Sequence, residues 1–312
     1  MEILTYAFFI TFLAMTFRMA TPVLLGTLGE AFAERSGVLN LGIEGTMLMG
    51  ASTGFMVTYF IGDLWLGIFA AAFIGMAMGL LMAFLSVTLG AQQHVAGLGI
   101  TFLGTGLSFF LYRLFVAPAG GVPPTIVPFR PIEIPGLSGI PVLGPTIFTQ
   151  PALVYLALIL VPIIGFIFYR TTLGLNLTAV GQNPKAADTA GINVFRTRYL
   201  CLLIAGALAG IAGAWFSMAQ SSQFLPGMTM GRGWVCVALV IFANWSPYRI
   251  LGGALLFGGI DALQTTFAAL GVAFPYRILQ IFPYIFTIVI LVAVARRATY
   301  PAALLQPYRR EG

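Results

Sequence analysis

The stretch LWLGIFAAAFIGMAMGLLMAFLSVTL, residues 64–89, runs for 26 residues without a charge. An uncharged apolar run of 18 or more residues reads as a membrane-crossing helix, because about 20 residues cover a hydrocarbon core of about 30 Å. Working outward, similar blocks occupy about 4–28, 38–61, 94–116, 150–169, 199–219, 230–244, 250–270 and 278–295. Barrel strands would alternate apolar and polar residues, and these blocks do not. Composition agrees: 59% of the 312 residues are hydrophobic and 8% are charged, and the mean hydropathy is +0.98. An ordinary soluble domain carries about 25% charged residues. A cytosolic enzyme, a nucleic-acid binder and a disordered chain are excluded. The expected fold is all-α, a polytopic transmembrane helical bundle of about nine spans (eight to ten), with a re-entrant or split helix as a variant. No linker divides residues 1–312, so one membrane domain is expected. Met1-Glu2 opens without a basic stretch, so residues 3–28 read as an uncleaved first helix.

Charge sets the orientation. The 170–198 loop holds Arg170, Lys185, Arg196 and Arg198 against Asp188, and the tail holds Arg296, Arg297, Arg309 and Arg310. Both are expected on the cytoplasmic side, because positive loops stay there. Residues 29–37 then form a short charged cytoplasmic connection. Residues 117–149 carry eight prolines, from Pro118 to Pro145. A stretch so dense in Pro and Gly is expected to be non-helical, an external loop outside the hydrocarbon. Nine spans put the N-terminus outside; a re-entrant or split block puts it inside. Cys201 and Cys236 lie in apolar blocks and read as packing residues.

Catalysis finds little support. Lys185 is the one lysine and no G-x-x-x-x-G-K-[ST] phosphate loop exists, so ATP hydrolysis would need another chain. His94 is the one histidine, which excludes an H-E-x-x-H zinc site and leaves no serine triad. No metal and no cofactor are expected on this chain.

The segment GQNPKAADTAGI, 181–192, has helix punctuation: Asn183 as N-cap, Pro184 at the first helical position, Gly191 after the last. The helix between them, about two turns, would gain stability by docking in a partner's groove, with Ala187 facing that groove. A capped surface turn is the alternative.

Five segments together resemble one family: TAVGQNPKAADTAGINVFRTR (178–198), AERSGVLNLGIEG (33–45), PGMTMGRGW (226–234), ALVIFANW (238–245) and GGIDALQ (258–264). They are similar to ABC importer permeases of the branched-chain amino acid and simple-sugar family, in the nucleoside-type branch, and to the shorter of its two unlike permeases. The resemblance runs from about residue 15 to 295; the Pro-rich 117–149 loop matches nothing. It implies a non-catalytic permease subunit forming the pathway for nucleosides or a related small polar solute, such as a sugar or a riboflavin-like heterocycle. It implies a bacterial or archaeal cell membrane. The partners implied are a cytoplasmic ATPase subunit holding ATP and Mg, a second related permease or a second copy of this chain, and an extracellular or periplasmic substrate-binding protein. Asn183, Pro184, Lys185, Ala186, Ala187, Asp188 and Gly191 would form the ATPase-coupling element. A secondary transporter or channel is the alternative function. It would require several buried acids and an inverted repeat, and only Glu44 and Asp261 qualify.

Candidate pathway residues are the polar ones within or beside apolar blocks, where charge is costly. Asn40 and Glu44 lie in the second segment above, Glu44 among small residues. Asp261 shares a helix face with Gln264 at i+3. Gln92, Gln93 and His94 form a polar run, and Gln223, Phe224, Arg232 and Trp234 set aromatic faces beside polar groups. Each also has a structural reading: an interfacial acid, a polar helix end, an aromatic belt residue. Arg18 is expected to snorkel to an interface or to pair with an acid such as Glu44.

Overall fold

The computed structural model describes residues 6–116, 123–269 and 299–309, with 281, 285, 288, 289 and 292 between the last two. Eleven helices and one small sheet are described in chain order. They are α1 (Tyr6–Arg35), α2 (Ile43–Ile61), α3 (Leu64–Ala83), α4 (Gln93–Phe115), β1 (Pro131–Glu133), α5 (Leu143–Ile147), β2 (Thr149–Pro151), α6 (Ala152–Arg170), α7 (Thr172–Gln182), α8 (Pro184–Thr189), α9 (Val194–Trp215), α10 (Arg232–Phe242) and α11 (Pro247–Ala269). Helices α3 and α9 each continue through a π turn, Phe84–Thr88 and Phe216–Gln220.

The fold is an all-α, multi-pass helical membrane fold. Among the described residues, six helices are long and apolar enough to cross a bilayer: Phe8–Arg35, Leu64–Thr88, Gln93–Phe115, Ala152–Arg170, Val194–Gln220 and Pro247–Phe267. The 38–61 block appears as α2, buried but less apolar. The 230–244 block appears as α10, whose 11 residues reach only about 16 Å. The 278–295 block falls almost wholly outside the described residues.

Helix α1 is buried on every side from Ala20 to Glu34, the pattern of a central helix rather than a lipid-facing one. Helices α3 and α9 approach at their glycines. A Cβ on Gly75 would collide with the Gly206 carbonyl oxygen, and one on Gly206 with that of Gly75. Bare backbones there let two membrane helices pack by van der Waals contact.

Two expectations about loops are corrected. Residues 29–35 are the last turns of α1, because nothing in Gly29–Arg35 breaks the helix and both its acids find partners inside the protein. The Pro-rich loop does hold helix: α5 spans Leu143–Ile147, and Pro145 is tolerated because first-turn N–H groups lack intrahelical acceptors. Strands β1 and β2 pair antiparallel, Ile132 opposite Gln150. The loop packs on the end of α9, with Phe129 N–H donating to Met218 O at 3.1 Å and Ile126 N–H to Ser222 O at 3.0 Å.

Candidate functional site

Depth along α1 locates two interrupted helices. A Cβ on Gly26 would lie 2.8 Å from Cys236 Sγ of α10 and 3.7 Å from Ile43 Cδ1 at the start of α2. Gly26 is nine residues, about 14 Å, from the Arg35 end of α1, close to half of a bilayer core of about 30 Å. Thus the start of α2 and the first half of α10 lie beside Gly26, well inside the length of α1. Both are preceded by irregular backbone.

The first irregular segment, residues 36–42, is almost entirely buried, so its polar groups need internal partners. Asn40 N–H donates to Glu30 Oε1 at 2.9 Å, and Gly42 N–H to Asn40 Oδ1 at 3.1 Å. Leu39 N–H donates to Gln93 Oε1 at 2.8 Å, and Gln93 Nε2 donates to Gly37 O at 3.4 Å. Thr101 Oγ1 donates to Leu41 O at 2.8 Å. Asn40 and Gln93, read from sequence as pathway candidates, therefore splint a broken helix start.

The second is the turn before α10, where Gly227, Met230 and Gly231 all have positive φ. Gly231 is the N-cap and supplies no side chain; Glu44 of α2 supplies the cap. Its Oε1 accepts from Thr229 Oγ1 at 2.6 Å and from Gly231 N–H at 2.8 Å. Its Oε2 accepts from Gly233 N–H at 2.7 Å. A carboxylate there is favoured by the free amides and the helix dipole. Next along α10, Arg232 donates to Asp261 Oδ2 from Nε at 3.2 Å and from Nη2 at 2.9 Å, and its guanidinium lies 5.4 Å from the Phe216 ring centroid. Leu225, Pro226 and Gly227 are exposed on this turn, as are Met230 at 63% and Trp234 at 49%.

The sequence candidates thus divide. Glu44, Asp261, Trp234 and, half-buried one turn on, Gln264 gather around the start of α10, with half-buried Gln223 on the chain leading to the turn. Gln92 and His94 are exposed at the start of α4, apart from that group. Phe224 is no open aromatic face: it is buried, with its ring 4.9 Å from that of Tyr112. Arg18 does not meet Glu44; its Nε donates to Gln150 Oε1, at the end of the Pro-rich loop, at 2.9 Å. Sequence reasoning missed Arg232 as the partner of Asp261 and the fully buried acids Glu30 and Glu34. Glu34 Oε2 accepts from Trp245 Nε1 at 2.8 Å, while Glu30 Oε2 and Glu34 Oε1 have no hydrogen-bond partner among the described residues. The signal was two acids at i and i+4, but a run of charges reads as a loop. Among the described residues, no three His, Cys, Asp or Glu side chains group as metal ligands.

At the Arg35 end, α7 takes up the first part of the expected 170–198 loop and the expected short helix follows as α8. Asn183 Oδ1 caps α8 by accepting from Ala186 N–H at 3.0 Å, Pro184 opens it, and Gly191 follows at φ 86. Lys185, Ala186, Thr189 and Ala190 are exposed, and Asp188 is half-buried. Ala187 is corrected: it is buried, only 3% exposed, against Val180 and Val194. Its side of α8 faces this protein. Arg198 is also corrected from loop charge to buried anchor. From α9 its Nε donates to Ser36 O at 3.1 Å and its Nη1 to Gln306 O at 3.3 Å.

A family model described as a branched-chain amino acid transport system permease component matches residues 12–295. A putative glucose ABC transporter permease of Haloferax volcanii is 43% identical over 95% of this chain and 96% of its own. The guanosine ABC transporter permease NupQ of Bacillus subtilis is 35% identical over 93% of each. The nucleoside ABC transporter permease NupC of Lactococcus lactis is 34% identical over 91% and 92%. No solved structure matches the chain. The five sequence motifs and a fold built from apolar helices agree with these matches: the chain belongs to the family of branched-chain amino acid transport system permease components, and its relatives are nucleoside and sugar ABC transporter permeases.

Proposed function

We propose that this chain is the pathway-forming permease subunit of an ATP-driven importer for nucleosides or a related small polar solute such as a sugar. The solute passes along the face that carries residues 225–231 and Trp234. The carrying observation is that this irregular backbone has several exposed residues and leads straight into α10, whose Cys236 packs on Gly26 within the long apolar helix α1. Lipid cannot satisfy bare peptide groups, so such backbone must line an aqueous cavity or meet another protein. Interrupted helices at mid-depth are the arrangement by which transporters present helix ends to solutes. Glu44, Asp261 and Gln264 frame this face from behind, and Trp234 offers a ring on which a nucleobase or a sugar face can rest. Gln92, Gln93 and His94 form a separate polar entry to α2 and α4. The relatives' names support both solute classes.

The chain works beside a second, longer permease. Bacillus subtilis and Lactococcus lactis each have a further permease named for the same solute, NupP and NupB, that matches this chain more weakly. The ATPase is a separate cytoplasmic subunit, and an extracellular or periplasmic binding protein delivers the solute. The basic residues near α8 and in the tail support a cytoplasmic side for both, in a chain we read as crossing about nine times, the interrupted helices included. Helix α8, with Asn183, Pro184, Lys185, Ala186, Asp188 and Gly191, couples to the ATPase through its exposed side. The test is uptake of labelled guanosine and of labelled glucose into proteoliposomes. Uptake requiring the ATPase, ATP and the second permease supports the proposal; uptake by this chain alone would make it a channel or secondary transporter.

A further inference from the structure

Residues 299–309 form no helix, yet they are fastened along their length. Asn244 Oδ1 accepts from Thr299 N–H and Oγ1 at 3.1 and 3.0 Å. Ala303 N–H donates to Gly181 O at 2.9 Å, and the Gln306 carbonyl accepts from buried Arg198. Tyr308 sets its ring 5.8 Å from that of Phe195 and packs on the cluster holding Ala187, the inward side of α8. Between this segment and the α7–α8 joint lies a cleft of about 530 Å³. Asn183, Pro184 and Lys185 line one wall, and Gln306, Pro307 and Arg309 the other. Its two charged lining residues are both cations. Beside it, Leu305 is held at φ 68 and left 40% exposed. A non-glycine residue in that region is strained and persists only where its surroundings impose it.

We infer that the ATPase subunit docks on a composite surface, α8 forming one wall and residues 302–309 the other, with a carboxylate-bearing element of the ATPase entering the cleft. This rests on the reading of α8 as the coupling helix. The two walls share one opening, so a protein that meets exposed Lys185 and Ala186 also meets Gln306 and Arg309. Both walls are fixed by hydrogen bonds, which suits a shaped protein element better than a mobile anionic lipid headgroup. Leu305 adds an apolar contact at the rim.

The experiment uses the assembled importer with its ATPase, reconstituted in neutral or in anionic vesicles. A benzophenone amino acid replaces Gln306, Ala186 or, as a control at the far end of the bundle, Leu66. Adducts are identified by mass spectrometry through the ATPase's phosphate-loop peptide. Positions 306 and 186 should both label the ATPase and 66 should not. Labelling from 186 but not 306, or only lipid adducts from 306 in anionic vesicles, overturns the composite surface and leaves α8 standing. No ATPase adduct from either position removes the coupling reading as well. Arg309→Glu should slow ATPase association and flatten its salt dependence, as reversing a charge at an interface rim does; an unchanged rate and salt dependence overturn the charge match.

Discussion

Glu44 Oε2 accepts the Gly233 amide hydrogen at 2.7 Å, so a side chain on the first turn of one interrupted helix caps the start of another. The two helix beginnings, 189 residues apart in sequence, are one unit. Replacing Glu44 with Gln leaves one acceptor oxygen for three donors and turns an amide N–H₂ towards backbone N–H groups. That should cost about 1–3 kcal/mol. Thermal unfolding of the purified protein should shift down, and solute uptake should fall with it.

The Arg232–Asp261 pair is largely withdrawn from solvent, with Asp261 buried and Arg232 partly so, their side chains 7% and 16% exposed. Removing one member strands the other charge, which for buried pairs costs about 3–5 kcal/mol. Asp261→Asn alone should therefore destabilise clearly, whereas Arg232→Met with Asp261→Leu should recover most of the loss. If the double variant is stable but does not transport, the pair serves passage; if it is stable and transports, the pair is structural.

Two neighbouring alanines on α8 should behave differently. Ala186→Arg lies on the exposed side and should abolish transport-coupled ATP hydrolysis with permease assembly intact. Ala187→Arg drives a charge into the cluster of Val180 and Val194 and should lower the yield of folded protein. Size-exclusion profiles and ATPase rates of the two variants separate these effects.

The close crossing of α3 and α9 predicts a cost for one methyl group. Gly206→Ala places a Cβ against the Gly75 backbone, where neither side can yield without moving a helix. Overpacking of this kind costs about 1–3 kcal/mol. Thermal unfolding should show it, and Gly252→Ala, where a Cβ meets nothing within 4 Å, should not.

Local chemistry was legible. Asn183, Pro184 and Gly191 announce α8 because capping acts within a few residues, and apolar blocks announce the long helices because the bilayer fixes their length. What the sequence hid is long-range. Glu30 and Glu34 look like loop charges, and it takes Asn40 and Trp245, the latter 211 residues away, to make a buried helix end of them. Ala187 reads as a surface alanine until Val180 and Val194 close over it. Phe224 reads as an open ring until Tyr112 covers it. Glu44 was singled out as costly in lipid, but its ligands, the amides of Gly231 and Gly233, carry no signature in a side-chain alphabet.

The central claim is that the turn before α10 faces an aqueous path. Cysteine at Met230 or Trp234 tests it directly, because native Cys201 and Cys236 are buried. In the assembled importer, Met230→Cys and Trp234→Cys should react with a small charged methanethiosulfonate, at rates that change between ATP-bound and ATP-free states and fall with transported solute present. If both cysteines stay unreactive in every nucleotide state while a cysteine at exposed Glu133 of β1 reacts, the turn does not line the path and the account is contradicted.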